Sequence, residues 1–184
     1  MFNNIREDFQ IYDREFSRQG LWAMAAYRFG RWRYSIRPRL LRMPFSMLYR
    51  VLKVVSQILT GIDLPCEVQI GRRFRIEHFG CIVISGDTVL GDDVVVRQGV
   101  TIGLKKITEP ASPVIGDRVD IGAGAKILGR IRIGNDVVIG ANAVVVRDVP
   151  DGHLALGVPA RNYPRKDLSS VPSEDLEAMA LLSL

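Results

Sequence analysis

Few side chains in this sequence could transfer a proton or attack an electrophile, because it contains only two histidines and two cysteines. His78 stands in the run Ile76–Gly80, and its imidazole can accept a proton from a hydroxyl at neutral pH. His153 follows a Pro-Asp-Gly turn and is expected to be solvated. Cys81 has no basic neighbour that would activate a thiolate, and we expect it to be a small core residue. Any chemistry based on histidine therefore has two candidates, and on the sequence pattern alone His78 could equally be a structural corner residue.

A carboxylate on the second ring nitrogen would fix the tautomer of such a base and stabilise its protonated form. Glu77 is adjacent to His78 in sequence, but its side chain can point elsewhere. On the sequence alone, Asp63 would be an ordinary turn residue before Pro65. The cysteines and histidines lack the spacing of a metal site, so no metal is expected.

The segment that must position these residues repeats every six residues from Leu64 to Val149. Each hexad opens with an aliphatic residue, and its fifth residue is apolar or small. This period fits neither an amphipathic helix nor a two-sided strand, and it is typical of a parallel β-helix, in which each hexad forms a short strand and a corner. The opening residues are Leu64, Ile70, Ile76, Ile84, Leu90, Val96, Ile102, Ile115, Ile121, Ile127, Ile133, Ile139 and Val145.

The register departs from this period twice. Two residues, Ile82 and Val83, are extra before Ile84, and Leu104–Val114 is a longer insertion. A β-helix accommodates insertions only at its corners, where they often line a functional face.

The segment before the repeat carries most of the positive charge. Residues 1–60 contain eleven Arg or Lys and four Asp or Glu, whereas residues 61–184 contain fourteen and sixteen. Residues 4–59 are predicted to be helical, with breaks near Gly20, Pro38 and Pro44. The apolar stretch Leu40–Leu59 contains too many charges for a transmembrane helix.

The cationic stretch 28–53 could instead bind an anionic membrane surface, or it could pack against another subunit. Nucleic acid is not an expected partner, because no nucleic-acid-binding motif accompanies the basic residues. Residues 1–61 are therefore predicted to be a helical region, 62–163 a β-helix with the inserted loop 104–114, and 164–184 a tail with a short helix. The polar start of the chain and its few cysteines predict a cytoplasmic protein, with peripheral membrane contact as an option.

Residues 21–163 resemble the left-handed β-helix acyltransferases, above all the serine acetyltransferases and the polysaccharide O-acetyltransferases. The resemblance implies a mainly β fold, a left-handed parallel β-helix behind an N-terminal helical region. Its evidence is Ala26-Tyr27-Arg28 with Trp32, Ile62-Asp63-Leu64, Glu77-His78, Ile121-Gly122-Ala123-Gly124-Ala125-Lys126-Ile127-Leu128-Gly129 and Gly157-Val158-Pro159-Ala160-Arg161.

The resemblance also implies an enzyme that takes an acetyl group from acetyl-CoA. His78 would be its general base, oriented by Asp63, in a homotrimer with active sites between subunits. Coenzyme A would be held along its pantetheine arm by backbone next to three small residues, and at its phosphates by three basic ones. These coenzyme-binding candidates are Gly103, Ala123, Ala141, Lys126, Arg147 and Arg161.

The insertion departs from the serine acetyltransferase pattern. It has Ala111-Ser112-Pro113 where those enzymes have Arg-His-Pro, and Leu104-Lys105-Lys106 where they have glycines. Without that arginine, no obvious clamp remains for an amino-acid carboxylate. The sequence therefore favours a saccharide hydroxyl, free or lipid-linked, as the acceptor in exopolysaccharide biosynthesis.

Two alternatives stay open. One is a serine O-acetyltransferase of cysteine biosynthesis, in which Lys105 or Lys106 would bind the carboxylate. The other is an inactive trimeric scaffold, which His78 and the coenzyme-like coils argue against.

Overall fold

The computed structural model describes residues 2–12, 15, 17–106, 108 and 111–165. Three helices come first: α1 (Phe2–Ile11), α2 (Gln19–Arg33) and α3 (Arg39–Thr60). Fifteen short strands follow. They are β1 (Ile62–Asp63), β2 (Gln69–Ile70), β3 (Arg75–Ile76), β4 (Ile82–Ile84), β5 (Val89–Leu90), β6 (Val95–Val96), β7 (Thr101–Gly103), β8 (Val114–Ile115), β9 (Asp120–Ile121), β10 (Lys126–Leu128), β11 (Arg132–Ile133), β12 (Val138–Ile139), β13 (Val144–Val145), β14 (His153–Leu156) and β15 (Arg161–Pro164). The helix predicted for the tail falls in residues 166–184, outside the described part of the chain.

The strands form three parallel sheets, one on each side of a triangular coil. Sheet A has the order β1-β4-β7-β10-β13, sheet B has β11-β8-β5-β2, and sheet C has β15-β14-β12-β9-β6-β3. Only β15 runs antiparallel to its neighbour. Each turn of the chain therefore visits A, B and C in order, and the predicted left-handed parallel β-helix with an N-terminal helical region is confirmed.

The hexad pattern explains the core. Twelve of the thirteen opening aliphatic residues are buried, and only Ile70 is partly exposed. They stack in register from coil to coil, as Ile84, Ile102, Ile127 and Val145 do in sheet A. The burial of one aliphatic side chain per strand, about 1.5–3 kcal/mol each, is the main source of stability in a fold with two-residue strands.

The glycine after the opening residue is required where successive coils approach closely. A Cβ placed on Gly91 would lie 2.6 Å from the carbonyl oxygen of Gly116 in the next coil. At the same corner, the Asp117 carboxylate accepts a hydrogen bond from the backbone N–H of Asp92, 2.8 Å away. The small residue and the acidic side chain after it thus act together to join neighbouring coils.

The helices cover the open end of the β-helix, where the first coil has no coil below it. Each helix, or in α1 the residue just after it, supplies a tyrosine whose hydroxyl forms a hydrogen bond with a backbone group of that coil. Tyr12 accepts from the N–H of Ile76, Tyr49 accepts from that of Cys66, and Tyr27 donates to the carbonyl of Val68, each at 2.9 Å. Burial raises the pKa of Tyr12 to about 12 and also raises that of Tyr27.

Two expectations about local structure are wrong. Helix α3 runs through Pro44 without a break, although proline cannot donate a backbone hydrogen bond there. Cys81 is exposed rather than in the core, because it lies at a corner with a left-handed φ of 53°.

Candidate active site

His78 lies in the corner that joins sheet C to sheet A, which we call the C–A corner. The segment from Glu77 to Cys81 connects β3 to β4 here, and the His78 side chain is exposed. The two extra residues lengthen this corner, whereas Ile82 and Val83 themselves are in β4 and pair with β1. The enlarged corner is what projects His78 out of the repeat.

The backbone on either side holds this corner in place. Gly99, in the next coil, donates its N–H to the carbonyl of Gly80 at 2.9 Å. Gly61, which ends α3 with a left-handed φ of 66°, packs below, and a Cβ there would lie 3.1 Å from the nitrogen of Cys81. The position of His78 therefore depends on both the β-helix and the end of α3.

Asp63 lies on β1, the strand beside β4, so the predicted pair occupies adjacent strands of the same sheet edge. The described structure shows no hydrogen bond between Asp63 and His78. The Nζ of Lys53 is instead 3.1 Å from Oδ1 of Asp63, and this buried oxygen lacks a hydrogen bond of good geometry. Asp63 thus lies next to the corner and forms an ion pair with Lys53.

Glu77 is held by arginines on the outer face of sheet C. Its carboxylate lies 3.1 Å from Nε of Arg97 and 3.7 Å from Nε of Arg75. Arg97 also pairs with Asp120. Because these contacts engage Glu77, Asp63 is the better placed partner for His78.

The small residues predicted for coenzyme binding do not all stack. Ala123 and Ala141 follow His78 up the C–A corner in later coils, and the N–H of Asn142 donates to the carbonyl of Ala123 at 2.8 Å. Gly103 lies at the other end of sheet A, where β7 leads into the A–B corner. The predicted column of three is therefore a column of two.

The basic candidates are also spread out. Lys126 is half-buried and donates to the carbonyl of Gly99 at 2.5 Å and to Oγ1 of Thr101 at 3.2 Å. Arg147 is exposed at the A–B corner, and Arg161 is exposed on β15. Only Lys126 lies beside the column formed by Ala123 and Ala141.

The insertion leaves the A–B corner directly after Gly103. Lys105 is exposed and lies against Gly129 of the following coil, 3.2 Å from the position of a Cβ on that glycine. On the returning side, the hydroxyl of Ser112 donates to that of Ser85 at 3.0 Å. Glu109 lies outside the described residues, while Thr108 is exposed. The loop thus presents a lysine at the opposite edge of sheet A from His78.

Two features of the site escaped the sequence reasoning. The contact of Lys53 with Asp63 joins a helix to a strand, and the hexad pattern has no signal for it. The hydrogen bond between Ser85 and Ser112 spans a loop of irregular length, so the repeat period cannot predict it either. Among the described residues, no three His, Cys, Asp or Glu side chains are grouped as a metal site requires.

A family profile, sequence relatives and solved structures all relate this chain to bacterial acyltransferases. The profile of the bacterial transferase hexapeptide family (six repeats) matches residues 112–147. A serine acetyltransferase of Helicobacter pylori (strain J99) is 40% identical over 133 residues, which cover 72% of this chain and 78% of that protein.

Two solved structures of serine acetyltransferases share the fold. One, from Neisseria gonorrhoeae in complex with serine, gives a TM-score of 0.71 at 30% identity and covers 87% of this chain and 67% of its own. The other, in complex with CoA, gives 0.68 at 32% identity over 80% and 58% of the two chains. Part of each neighbour therefore has no counterpart in this chain.

Proposed function

Since the chain belongs to the serine acetyltransferase family and is an acetyl-CoA-dependent acyltransferase, we propose that it transfers the acetyl group of acetyl-CoA to the hydroxyl of serine. The observation that carries the proposal is the 40% identity over more than three quarters of the Helicobacter pylori enzyme. A neighbour of this fold binds serine, and another binds CoA.

The predicted saccharide acceptor is wrong, since the relatives and the structural neighbours are serine acetyltransferases. The prediction treated the loss of one arginine at Ala111-Ser112 as the loss of carboxylate recognition. A carboxylate needs a cation within reach, however, and not one at a particular sequence position. Lys105 is exposed on the same insertion and can meet that need.

In the proposed reaction, His78 acts on the serine hydroxyl. Its neutral imidazole takes the hydroxyl proton while the oxygen attacks the thioester carbonyl carbon. A carbon–oxygen bond forms, the carbon–sulfur bond then breaks, and the proton passes to the departing CoA thiolate. Asp63, on the strand beside this corner, would hold the second ring nitrogen with a carboxylate oxygen. No acetyl-enzyme is formed.

The donor would lie along the C–A corner. The backbone at Ala123 and Ala141 offers a narrow, small-residue column for the pantetheine arm above His78. Lys126 lies next to this column and could turn from the Gly99 carbonyl toward an anionic group of the coenzyme. Gly103 is proposed as an N–H donor to the tetrahedral oxyanion.

This arrangement supports a trimer, because one copy holds its site residues at two separate corners. His78 is at the C–A corner, whereas Gly103 and Lys105 are at the A–B corner. The two corners are separated by the length of one strand of sheet A, about 10 Å. Closed three-fold symmetry would bring the C–A corner of one copy to the A–B corner of the next. We propose that each active site is completed in this way.

The test is CoA release measured with serine and with a panel of sugars. We expect serine to react with kcat/KM of about 10⁴ M⁻¹s⁻¹ or above. His78→Ala should lower kcat by about 10²–10⁴ with CoA binding retained, because only the base is removed. His153→Ala is the matched control and should behave as wild type. Turnover of a sugar in preference to serine, or near-normal turnover by His78→Ala, would contradict the proposal.

A further inference from the structure

The apolar side of helix α3 is turned away from the protein. Eleven large apolar residues of this helix are exposed, including Leu40 at 81% and Ile58 at 77% of their full accessible surface. With 3.6 residues per turn, they occupy about half of the helix circumference. They are Leu40, Leu41, Met43, Met47, Leu48, Val51, Leu52, Val54, Val55, Ile58 and Leu59.

The side of α3 that faces the protein is more polar than the side that faces outward. Only Tyr49 and Thr60 are buried on this helix, and the hydroxyls of Ser46 and Thr60 bond to its own backbone. An amphipathic helix on a folded domain normally has the reverse orientation. The exposed face is therefore suited to contact with another apolar phase.

The apolar face continues into a groove between α2 and α3. Trp22 of α2 and Leu52, Val55 and Leu59 of α3 line it, and it encloses about 350 Å³. Trp22 is itself 46% exposed. Tryptophan beside aliphatic side chains on one face is typical of segments that lie at the boundary of a bilayer.

The charges around this face have one sign. The sequence contains no Asp or Glu from residue 16 to residue 62. Arg39 and Arg50 are exposed along one border of the apolar face, and Arg31 and Arg37 are exposed nearby. Lys53 is excluded from this group because it contacts Asp63.

We propose that the exposed face of α3, bordered by Arg39 and Arg50, binds the surface of an anionic lipid bilayer with the helix lying in the plane of the headgroups. The aliphatic side chains would enter the headgroup–acyl boundary, and the arginines would contact lipid phosphates. The segment around this face carries basic residues and no acidic ones, and this charge complements an anionic partner. No helix in the described part of the chain has the length and apolar character needed to cross a bilayer.

The experiment is flotation of the full-length protein with vesicles of phosphatidylglycerol and phosphatidylcholine in equal amounts, or of phosphatidylcholine alone. We expect binding to the anionic vesicles at low salt and clear weakening at high salt. Arg39→Gln and Arg50→Gln should each weaken partitioning about fivefold, which corresponds to about 1 kcal/mol. Ile58→Glu should weaken it more than tenfold.

The matched control is Gln69→Glu, which adds the same charge at an exposed position of β2, away from α3. It should bind as wild type, and both Glu variants should keep wild-type turnover of acetyl-CoA. Absence of flotation with anionic vesicles at low salt would overturn the proposal. A second pair of results would also overturn it: no vesicle binding by the wild type, together with a smaller assembly of Ile58→Glu than of the wild type in sedimentation. The face would then be covered by a second copy of the chain.

Discussion

The hydroxyl of Tyr12 should be worth about 1–3 kcal/mol to the folded state. It accepts the N–H of Ile76 on β3, the first strand of sheet C, which has no strand below it. Tyr12→Phe keeps the ring and leaves this buried amide without a partner, and such a group costs about 1–3 kcal/mol. A protein of this size loses about 2–4 °C of Tm per kcal/mol, so a central cost of about 2 kcal/mol lowers Tm by about 4–8 °C.

The effect should also depend on pH, because burial raises the pKa of Tyr12 to about 12. An unfolded tyrosine ionises near pH 10, so the stability from the neutral hydroxyl is complete below pH 10 and is lost as the pH rises toward 12. By pH 11 the wild type should have lost about 1.4 kcal/mol through this residue. The Tyr12→Phe protein has no hydroxyl to ionise and cannot lose this stability. The difference in free energy of unfolding between the two proteins should therefore be smaller at pH 11 than at pH 8.

Urea unfolding of both proteins at pH 8 and pH 11 measures these free energies directly. Tyr34→Phe is the matched control, because Tyr34 is exposed and its hydroxyl contacts the side chains of Arg33 and Glu67 rather than a backbone group of the first coil. It should change stability by less than about 0.5 kcal/mol. A Tyr12→Phe protein as stable as this control, or a difference that does not change with pH, would refute the assignment of Tyr12 as a cap of β3.

Two further variants test the core and the insertion. Thr88 is buried, and its hydroxyl has no hydrogen-bond partner among the described residues. Thr88→Val should therefore raise the free energy of unfolding, measured by urea titration, by about 1–2 kcal/mol. A loss of stability would show that the hydroxyl is satisfied. If Lys105 or Lys106 binds the serine carboxylate, its replacement by Ala should raise KM for serine about tenfold or more at nearly constant kcat. KM for acetyl-CoA should not change. An unchanged KM for serine in both variants would exclude the two lysines from carboxylate binding.

The sequence predicts the β-helix well because its period comes from a local rule. Each hexad supplies one aliphatic side chain to the core, and seven of the thirteen place a glycine directly after it, so burial and register follow from spacing. Ile70 is partly exposed because it opens β2, whereas the other first-coil strands, β1 and β3, pack against α3 and α2. His78 is a candidate for the same reason, since it interrupts the pattern at an enlarged corner, and its catalytic role stays a prediction.

The contacts between the helices and the first coil could not be predicted in this way. The tyrosine hydroxyls join residues up to 64 positions apart, and their partners are backbone groups without a side-chain signature. The acceptor was predicted wrongly for a related reason. A carboxylate site is defined by charges that converge in space, and sequence shows only which charges are missing from one position.

Helix α3 contacts the candidate active site through Lys53 and through the glycine that ends it. Its outward face carries the exposed apolar residues, while its inner side holds the Asp63 carboxylate through Lys53. Its last residues lead into Gly61, which packs against the corner that presents His78. The predicted boundary at residue 61 therefore falls between elements that are in direct contact, and the chemistry of the β-helix corner depends on a helix that lies outside the repeat.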